Sequence, residues 1–180
     1  MNKPDFIKEV LFEEKEVKNR ILDIRKIIFD YYKSFENVKV FSVLKGGEYL
    51  SKLLALSSFD KKFQENYISA NSYLNNKKLP NNKINIDFMG NEIQSLWGEQ
   101  ILIIDDIYDT GNTLKQIYGK FAQKGAIVQN VVLIKRKNNQ FEVPILTYGC
   151  EIEQKDYLVG CGLDYNDGYR QLPYIASIKE

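Results

Sequence analysis

The stretch "ILIIDDIYDTGNT", residues 101–113, joins an apolar run to a polar turn. Four aliphatic residues lead directly into Asp105 and Asp106, and Asp109 opens the segment Asp-Thr-Gly-Asn-Thr. A short continuous apolar run is typical of a strand that is buried on both faces of a sheet. Because ligands of open α/β sheets bind beyond the carboxyl ends of the strands, this pattern predicts carboxylates at the mouth of a binding crevice.

The turn that follows the carboxylates has the features of a phosphate site. Gly111 permits close approach of the backbone, and the hydroxyls of Thr110 and Thr113 can donate hydrogen bonds. Apolar residues at helical spacing come next, so free amide groups at the start of a helix add to the site. Carboxylates beside a phosphate site indicate a sugar phosphate, whose hydroxyls the acids could bind directly or through a hydrated Mg²⁺. Two Asp residues alone would more simply be a solvated strand end, or belong to a phosphoacceptor or nucleotide-hydrolase fold.

Composition excludes several classes of protein. The 180 residues hold 25 Lys and Arg against 24 Asp and Glu, so we expect neither a nucleic-acid partner nor a membrane surface. The sequence has no histidine, which rules out a histidine triad, argues against zinc, and leaves carboxylate, lysine, tyrosine or thiol as general base. Cys150 and Cys161 are too few for a disulfide framework. Without a recognisable targeting segment or membrane-length apolar run, we expect a cytoplasmic protein.

Alternating patterns along the chain predict an α/β fold. Apolar residues at helical spacing predict a long amphipathic helix over residues 13–35, with an apolar stripe of Val17, Ile21, Ile24, Ile28, Tyr31 and Phe35. A β-rich run at 38–47 ends in two glycines and precedes a second helical pattern, and the strand at 99–106 precedes a third. "AIVQNVVLIKRK", residues 126–137, supplies a further strand. This order predicts a central parallel sheet flanked by helices on both faces, within one domain of residues 1–180.

Two segments depart from this alternation. Residues 65–73 read as a strand that leads to the polar segment "NNKKLPNNK", and "INIDFMG" at 84–90 reads as a returning strand. We therefore expect an excursion over about residues 70–88. The tail, over about residues 150–180, has two short β-rich pieces around a polar loop and is expected to form extra structure at one edge of the sheet.

The central stretch resembles the 5-phosphoribosyl-1-diphosphate binding signature of the type I phosphoribosyltransferases, in which two acids and two variable residues precede Asp-Thr-Gly-x-Thr. Other segments resemble the hypoxanthine-guanine branch of that family and follow its order, from about residue 9 to residue 180. They are "VLKGG" at 43–47, "NSYL" at 71–74, "VVLIKRK" at 131–137 and "YLVGCGLDYNDGYRQLPYI" at 157–175.

This resemblance implies a type I phosphoribosyltransferase fold with a small irregular hood and a mobile lid loop. It implies a purine salvage enzyme, a pentosyl transferase that moves 5-phosphoribosyl from phosphoribosyl diphosphate to hypoxanthine, and secondarily to guanine, with Mg²⁺. Members of the family form homodimers or homotetramers. Xanthine carries the same 6-oxo group, so its use stays open.

The resemblance also assigns residues to the sugar and phosphate groups. Asp105 and Asp106 match the pair that binds the ribose hydroxyls, although Asp105 is one methylene shorter than the Glu common there. Asp109 matches the proposed general base for the purine N7 proton. Lys45 and Gly46 match a cis-peptide pair at the diphosphate, which Arg170 also binds. The family's phosphate-binding loop corresponds to five residues of this chain, called here the phosphate loop: Asp109, Thr110, Gly111, Asn112 and Thr113.

The remaining assignments concern the base, the metal and the lid. Lys135 matches the donor to the purine 6-oxo group, whereas Arg136 and Lys137 are expected to be a solvated strand end. Tyr157 matches the aromatic that stacks on the base, and the Leu158 carbonyl would face the edge of the purine. Asp164, near the purine, would hold Mg²⁺ through water, and Asp105 and Asp106 are further metal candidates. Ser72 and Tyr73 match the tip of the lid.

Two alternatives remain from the sequence. A phosphoribosyltransferase for adenine or orotate would share the central motif but should lack "IKRK" and "VGCGLDYND". A regulator on the same fold, such as the pyrimidine-operon attenuators that bind RNA, would need a clustered basic face. Asp109 and Lys135 favour catalysis over the regulator.

Overall fold

A six-stranded sheet forms the centre of the computed structural model, with strand order β6-β3-β2-β7-β8-β9. The structure describes residues 4–71, 73–74, 77–78, 83–90, 95–137, 140–153 and 156–179, with backbone alone at 73–74 and 77–78. Its helices are α1 (Glu14–Tyr32), α2 (Gly46–Leu54), α3 (Leu56–Phe59) and α4 (Asn112–Ala122). Its strands are β1 (Ile7–Phe12), β2 (Val38–Leu44), β3 (Phe63–Asn71), β4 (Tyr73–Leu74), β5 (Lys77–Lys78), β6 (Asn85–Asp87), β7 (Gln100–Tyr108), β8 (Ile127–Arg136), β9 (Ile145–Ile152), β10 (Leu158–Val159) and β11 (Ile175–Ile178).

The predicted parallel sheet with helices on both faces is confirmed. Strands β3, β2, β7, β8 and β9 are parallel, and only β6 pairs antiparallel, at one edge. Strand β7 lies between β2 and β8, and its residues 100–105 are all buried, as its continuous apolar run predicts. Strand β9 was not predicted, because its residues are mostly half-buried and lack a clear apolar run.

The helices cover the two faces unequally. Helix α1 and the apolar side of α2 pack with Leu102 and Ile104 on one face, whereas Leu114, Ile117 and Phe121 of α4 pack with Ile103 on the other. The buried stripe of α1 consists of Val17, Ile21, Ile24, Ile28 and Tyr32.

The prediction of a helix over 13–35 was too long at its carboxyl end. The helix ends at Tyr32, and the Phe35 amide donates to the Tyr32 carbonyl in a turn, at 3.0 Å. Tyr32 rather than Tyr31 completes the stripe, because the Tyr32 ring is fully buried and its hydroxyl lies 3.4 Å from the Ile101 carbonyl.

The hood is a three-stranded antiparallel sheet with the order β1-β11-β10. The prediction that residues 150–180 alone form it was wrong at its start: residues 150–152 belong to β9, and β1 from the beginning of the described chain supplies the third strand. Sequence patterning could not reveal this, because the pairing of β1 with β11 joins residues about 170 positions apart.

The predicted excursion lies between β3 and β6. Strand β6 returns antiparallel to β3, as "INIDFMG" indicated, and the backbones of β4 and β5 pair between them. Ser72 lies outside the described residues, and the mobility of this segment stays a prediction. Among the described residues, no helix has the length and apolar character needed to cross a bilayer.

Candidate active site

The carboxyl end of β7 meets the amino end of α2 at two glycines. A Cβ on Gly46 would overlap the Asp106 carboxylate, and one on Gly47 would lie 2.9 Å from the Asp105 Cα. Any larger side chain would push α2 away from β7, since the Gly47 contact is with backbone. The Lys-Gly-Gly turn therefore sets the distance between the helix and the two acids.

The cis peptide of this turn lies between Leu44 and Lys45, one bond before the expected position between Lys45 and Gly46. Sequence resemblance located the turn correctly but placed the cis bond one residue too late.

Backbone amides hold the two acids at the end of the strand. Asp105 Oδ1 accepts the Asp106 amide at 3.0 Å, and Asp106 Oδ1 accepts the Ile107 amide at 2.8 Å. Burial raises the pKa of Asp105 well above its ordinary 3.8, and the neighbouring Asp106 charge adds to the effect. Burial also raises the pKa of Asp106, while hydrogen bonds and the Arg170 charge oppose that rise. Two carboxylates kept side by side away from water are an arrangement typical of functional sites.

The phosphate loop and the acids line one cleft of about 320 Å³. Gly111 begins the turn into α4 with φ +77°, and a Cβ there would run into the Tyr108 ring. The Thr110 hydroxyl accepts the Asn112 amide at 3.4 Å. The structure thus brings together the predicted ribose and phosphate residues, namely Asp105, Asp106, Asp109, Thr110, Gly111, Asn112, Thr113 and also Gly46.

Tyr108 supports this loop and was not predicted to matter. Its hydroxyl accepts the Glu142 amide at 3.0 Å and lies 3.3 Å from the Gln140 carbonyl, to which it donates. Its ring meets Phe141 edge-on, with centroids 5.0 Å apart. A buried tyrosine needs a hydrogen-bond partner for its hydroxyl, and this requirement could have identified Tyr108 as a structural residue. The sequence does not reveal the partner, because it lies more than 30 residues away.

A second cleft, of about 280 Å³, adjoins the first at Asp106, Ile107 and Asp109. The hood supplies its other wall through Tyr157, Leu158, Leu163 and Asp164. The predicted base-stacking ring, the Leu158 position and the metal candidate Asp164 therefore lie beside the predicted general base. Tyr157 is half exposed, which leaves the ring accessible to a ligand.

Lys135 does not line this second cleft. Its Nζ lies 3.6 Å from Glu151 Oε2 and 5.0 Å from the centre of the Phe141 ring. Arg136 lines the cleft instead, so the expectation that Arg136 is a solvated strand end was wrong. Its side chain is 15% exposed, and its Nε lies 3.5 Å from Asp109 Oδ1.

The predicted diphosphate cations lie at the edge between α2 and the hood. Lys45 Nζ lies 3.2 Å from Asp167 Oδ1. Arg170 Nη2 lies 2.7 Å from Asp164 Oδ1, and Arg170 Nη1 donates to the Gly162 carbonyl at 2.7 Å. These pairs place Arg170 beside the metal candidate Asp164, with its charge acting on Asp106, and Lys45 beside Asp167.

The carboxylates suit a hydrated divalent cation better than a fully protein-bound one. Among the described residues, no group of three or more His, Cys, Asp and Glu side chains forms a metal cage. Asp105, Asp106 and Asp164 offer hard oxygen ligands at the two clefts. Mg²⁺ is commonly held by one or two carboxylates together with water and substrate oxygens, so this donor set fits such an ion.

Comparison with known proteins agrees with this geometry. The phosphoribosyl transferase domain matches residues 14–166. The hypoxanthine-guanine phosphoribosyltransferase of Dictyostelium discoideum is 28% identical, over 96% of each chain. The hypoxanthine-guanine-xanthine phosphoribosyltransferase of Tritrichomonas foetus is 27% identical, over 98% of this chain and 94% of its own. Among solved structures, the hypoxanthine phosphoribosyltransferase of Trypanosoma cruzi in complex with IMP superposes with a TM-score of 0.81, 26% identity and coverage of 99% and 98%.

Replacing Asp105 with Asn is expected to raise the free energy of unfolding at pH 7. The pKa of Asp105 in the folded protein lies above the ordinary value of 3.8. The protonated carboxyl therefore favours the folded state below about pH 3.8, and this stabilisation is lost as the pH rises through the pKa of the folded protein. Each pKa unit by which folding raises the Asp105 pKa lowers the free energy of unfolding at pH 7 by about 1.4 kcal/mol. Asn cannot ionise, so the variant avoids this loss. Urea unfolding at pH 7 and at about pH 4 measures the difference, which should shrink at the lower pH.

The exposed Asp23 of α1 supplies the matched control. Asp23→Asn should change stability by no more than about 0.5 kcal/mol at either pH. A lower urea midpoint for Asp105→Asn than for the unmodified protein at pH 7 would show that burial of this carboxyl is not destabilising.

Replacing Gly111 with Ala is expected to weaken binding of a sugar phosphate by at least about tenfold, or about 1.4 kcal/mol. The new Cβ would collide with Tyr108 and favour a negative φ, both of which displace the phosphate loop. Titration calorimetry with ribose 5-phosphate measures the effect. Gly119→Ala in α4 is the control, because a Cβ there meets nothing within 4 Å and Ala favours the helix by about 0.5–1 kcal/mol. Equal affinity for ribose 5-phosphate in both variants would refute the role of Gly111.

Proposed function

The chain belongs to the phosphoribosyl transferase family, and we propose that it transfers 5-phosphoribosyl from phosphoribosyl diphosphate to hypoxanthine, and also to guanine, giving IMP or GMP and diphosphate. The relatives named above for these bases, similar along nearly the whole chain, support this activity. One structural observation carries the proposal most directly. Asp106 and Asp109 belong to both clefts, so a ribose phosphate in the first would present its C1 to a base in the second.

The reaction forms a bond between ribose C1 and a purine nitrogen and breaks the bond from C1 to the diphosphate oxygen. Positive charge develops on the ribose and negative charge on the leaving diphosphate. Asp105 and Asp106 face the sugar, Lys45 and Arg170 lie on the diphosphate side, and Asp109 takes the N7 proton of the purine. Positioning and electrostatic stabilisation suffice for such a reaction.

Magnesium is the divalent ion we propose for this site. When bound, it would neutralise charge on the diphosphate. Asp164 would hold it through water, and Asp105 and Asp106 are the further candidates on the ribose side. The ion pair of Arg170 with Asp164, at 2.7 Å, keeps this carboxylate near the diphosphate cations.

The base would lie between Tyr157 and the Asp109 side of the cleft. We propose that Tyr157 stacks on the purine, that the Leu158 carbonyl meets its edge, and that Lys135 donates to its 6-oxo group. Lys135 does not line the second cleft, so it would have to leave Glu151, 3.6 Å from its ammonium, and turn toward the cleft to do so. Ser72 and Tyr73 would form the tip of a lid that excludes water, which otherwise competes with the purine for ribose C1.

Incubation with phosphoribosyl diphosphate and Mg²⁺ tests the activity, with hypoxanthine, guanine, xanthine, adenine and orotate offered separately. IMP should form fastest, then GMP, and the release of ribose 5-phosphate measures leakage of water into the site. Asp109→Asn should lower kcat by about 10²-fold or more, because general base catalysis commonly contributes that much. Asp23→Asn on the exposed face of α1 should leave kcat unchanged.

Two results would replace this proposal. Turnover of adenine or orotate alone would indicate a phosphoribosyltransferase for another base. Tight RNA binding without any turnover would indicate a regulator, although the near balance of 25 basic and 24 acidic residues gives that alternative no support.

We also propose that the protein forms a homodimer or homotetramer. Leu22, Leu53 and Phe59 are 54%, 38% and 62% exposed on one surface, where Arg25 contacts both the Leu53 carbonyl and the Phe59 ring. Exposed apolar surface of this kind often marks an interface. Light scattering should give two or four times the mass of the chain, and the mass of one chain would refute the proposal.

A cytoplasmic location also belongs to the proposal. Cys150 and Cys161 are buried free thiols, which suit a reducing compartment. Cell fractionation tests this location.

A further inference from the structure

The basic residues at the end of β8 point in two directions. Lys135 lies opposite Glu151 of β9, with its Nζ 3.6 Å from the carboxylate, and Lys137 lies 3.1 Å from Glu153, the residue after β9. Successive side chains of a strand alternate between its faces, so Arg136 points to the opposite face and enters the second cleft. Of these three consecutive basic residues, Arg136 is therefore the one that lines the second cleft.

Arg136 joins the two walls of that cleft. On one side its Nε lies 3.5 Å from Asp109 Oδ1, just beyond the end of β7. On the other side its Nη2 donates to the Asp156 carbonyl at 2.9 Å, immediately before Tyr157 and β10. The Arg136 side chain is 15% exposed, compared with 53% for Lys137, so the guanidinium is held within the wall.

We propose that Arg136 is a positioning residue that fixes the Asp109 carboxylate relative to Tyr157, and hence relative to the plane of the bound purine. This inference rests on the proposed function. A planar guanidinium can hold two acceptors in fixed directions, which the single ammonium of a lysine cannot do as well. Without this bridge, the 62% exposed Asp109 carboxylate would lose a charged contact, and the segment at Tyr157, just before β10, would lose one of its attachments to the sheet.

The effect should fall on catalysis more than on stability. An ion pair with one largely exposed partner contributes little to the stability of the fold. A displacement of about 1 Å in a reacting group can lower the rate by about 10²-fold, because proton transfer depends on distance and direction. Loss of Arg136 should therefore lower kcat while leaving the fold and the phosphate cleft intact.

Arg136→Met tests the inference, since Met keeps the apolar stem and removes the fork. We expect kcat for IMP formation to fall by about 10- to 100-fold, with KM for phosphoribosyl diphosphate within about twofold of the unmodified value. Arg136→Lys should recover only part of this loss. Lys137→Met, which removes a neighbouring cation outside the cleft, is the matched control and should behave like the unmodified enzyme.

A double-mutant cycle separates positioning from a general loss of structure. In an Asp109→Asn background, Arg136→Met should change kcat by less than about threefold, since the group that Arg136 positions is already disabled. A full and additive loss in that background would overturn the inference, as would normal kcat in Arg136→Met. Arg136→Lys keeps the charge and serves as the folding-competent variant if Arg136→Met is unstable.

The same assays distinguish this inference from the proposed function. If the unmodified enzyme and Lys137→Met both make IMP while Arg136→Met does so equally well, the positioning role alone fails. If neither the unmodified enzyme nor Lys137→Met makes any nucleotide, the proposed function fails and the inference falls with it.

Discussion

The close contact between the amino end of α2 and the carboxyl end of β7 determines the rest of the site. Two glycines face the two acids there, and a Cβ on either glycine would overlap a carboxylate or the backbone of β7. At this contact Asp105 is buried and Asp106 is half-buried, and the loss of water around them raises the pKa of each. A charged pair in such surroundings lowers stability unless hydrogen bonds or a ligand cation compensate, so the fold accepts a local penalty where substrate binds.

The two clefts are adjacent and share lining residues. Asp106 and Asp109 border both, so the proposed sugar and base sites would lie on either side of one short segment of chain. Tyr108 supports the phosphate loop, and its hydroxyl forms hydrogen bonds with the backbone of residues 140 and 142, in the segment after β8. The base wall comes from the hood, which in turn is assembled from both ends of the described chain. Residues distant in sequence therefore meet around the two clefts.

Charge is distributed around this site by strand alternation and by ion pairs. Lys135 of β8 and Lys137 just after it contact Glu151 and Glu153 at the end of β9, whereas Arg136 points to the opposite face and contacts Asp109. Lys45 and Arg170, the proposed diphosphate cations, contact Asp167 and Asp164 respectively. An anionic diphosphate would compete with these aspartates for the two cations. Binding of the ligand would therefore weaken the ion pairs between the cations and the hood.

Residues 101–113 alone determined the buried central strand, the carboxylates at its end and the glycine turn into α4, because apolar runs and turn chemistry act over a few residues. Helix α1 was predictable from its period, except for its last turn, where the choice between Tyr31 and Tyr32 depends on the sheet beneath. Only the tertiary structure decided that β1 joins the hood, that the Tyr108 hydroxyl meets residues 140–142, and that Arg136 rather than Lys135 faces the base cleft. Such contacts depend on strand register and on which face of a strand meets which neighbour, and a linear pattern of residue types does not specify either.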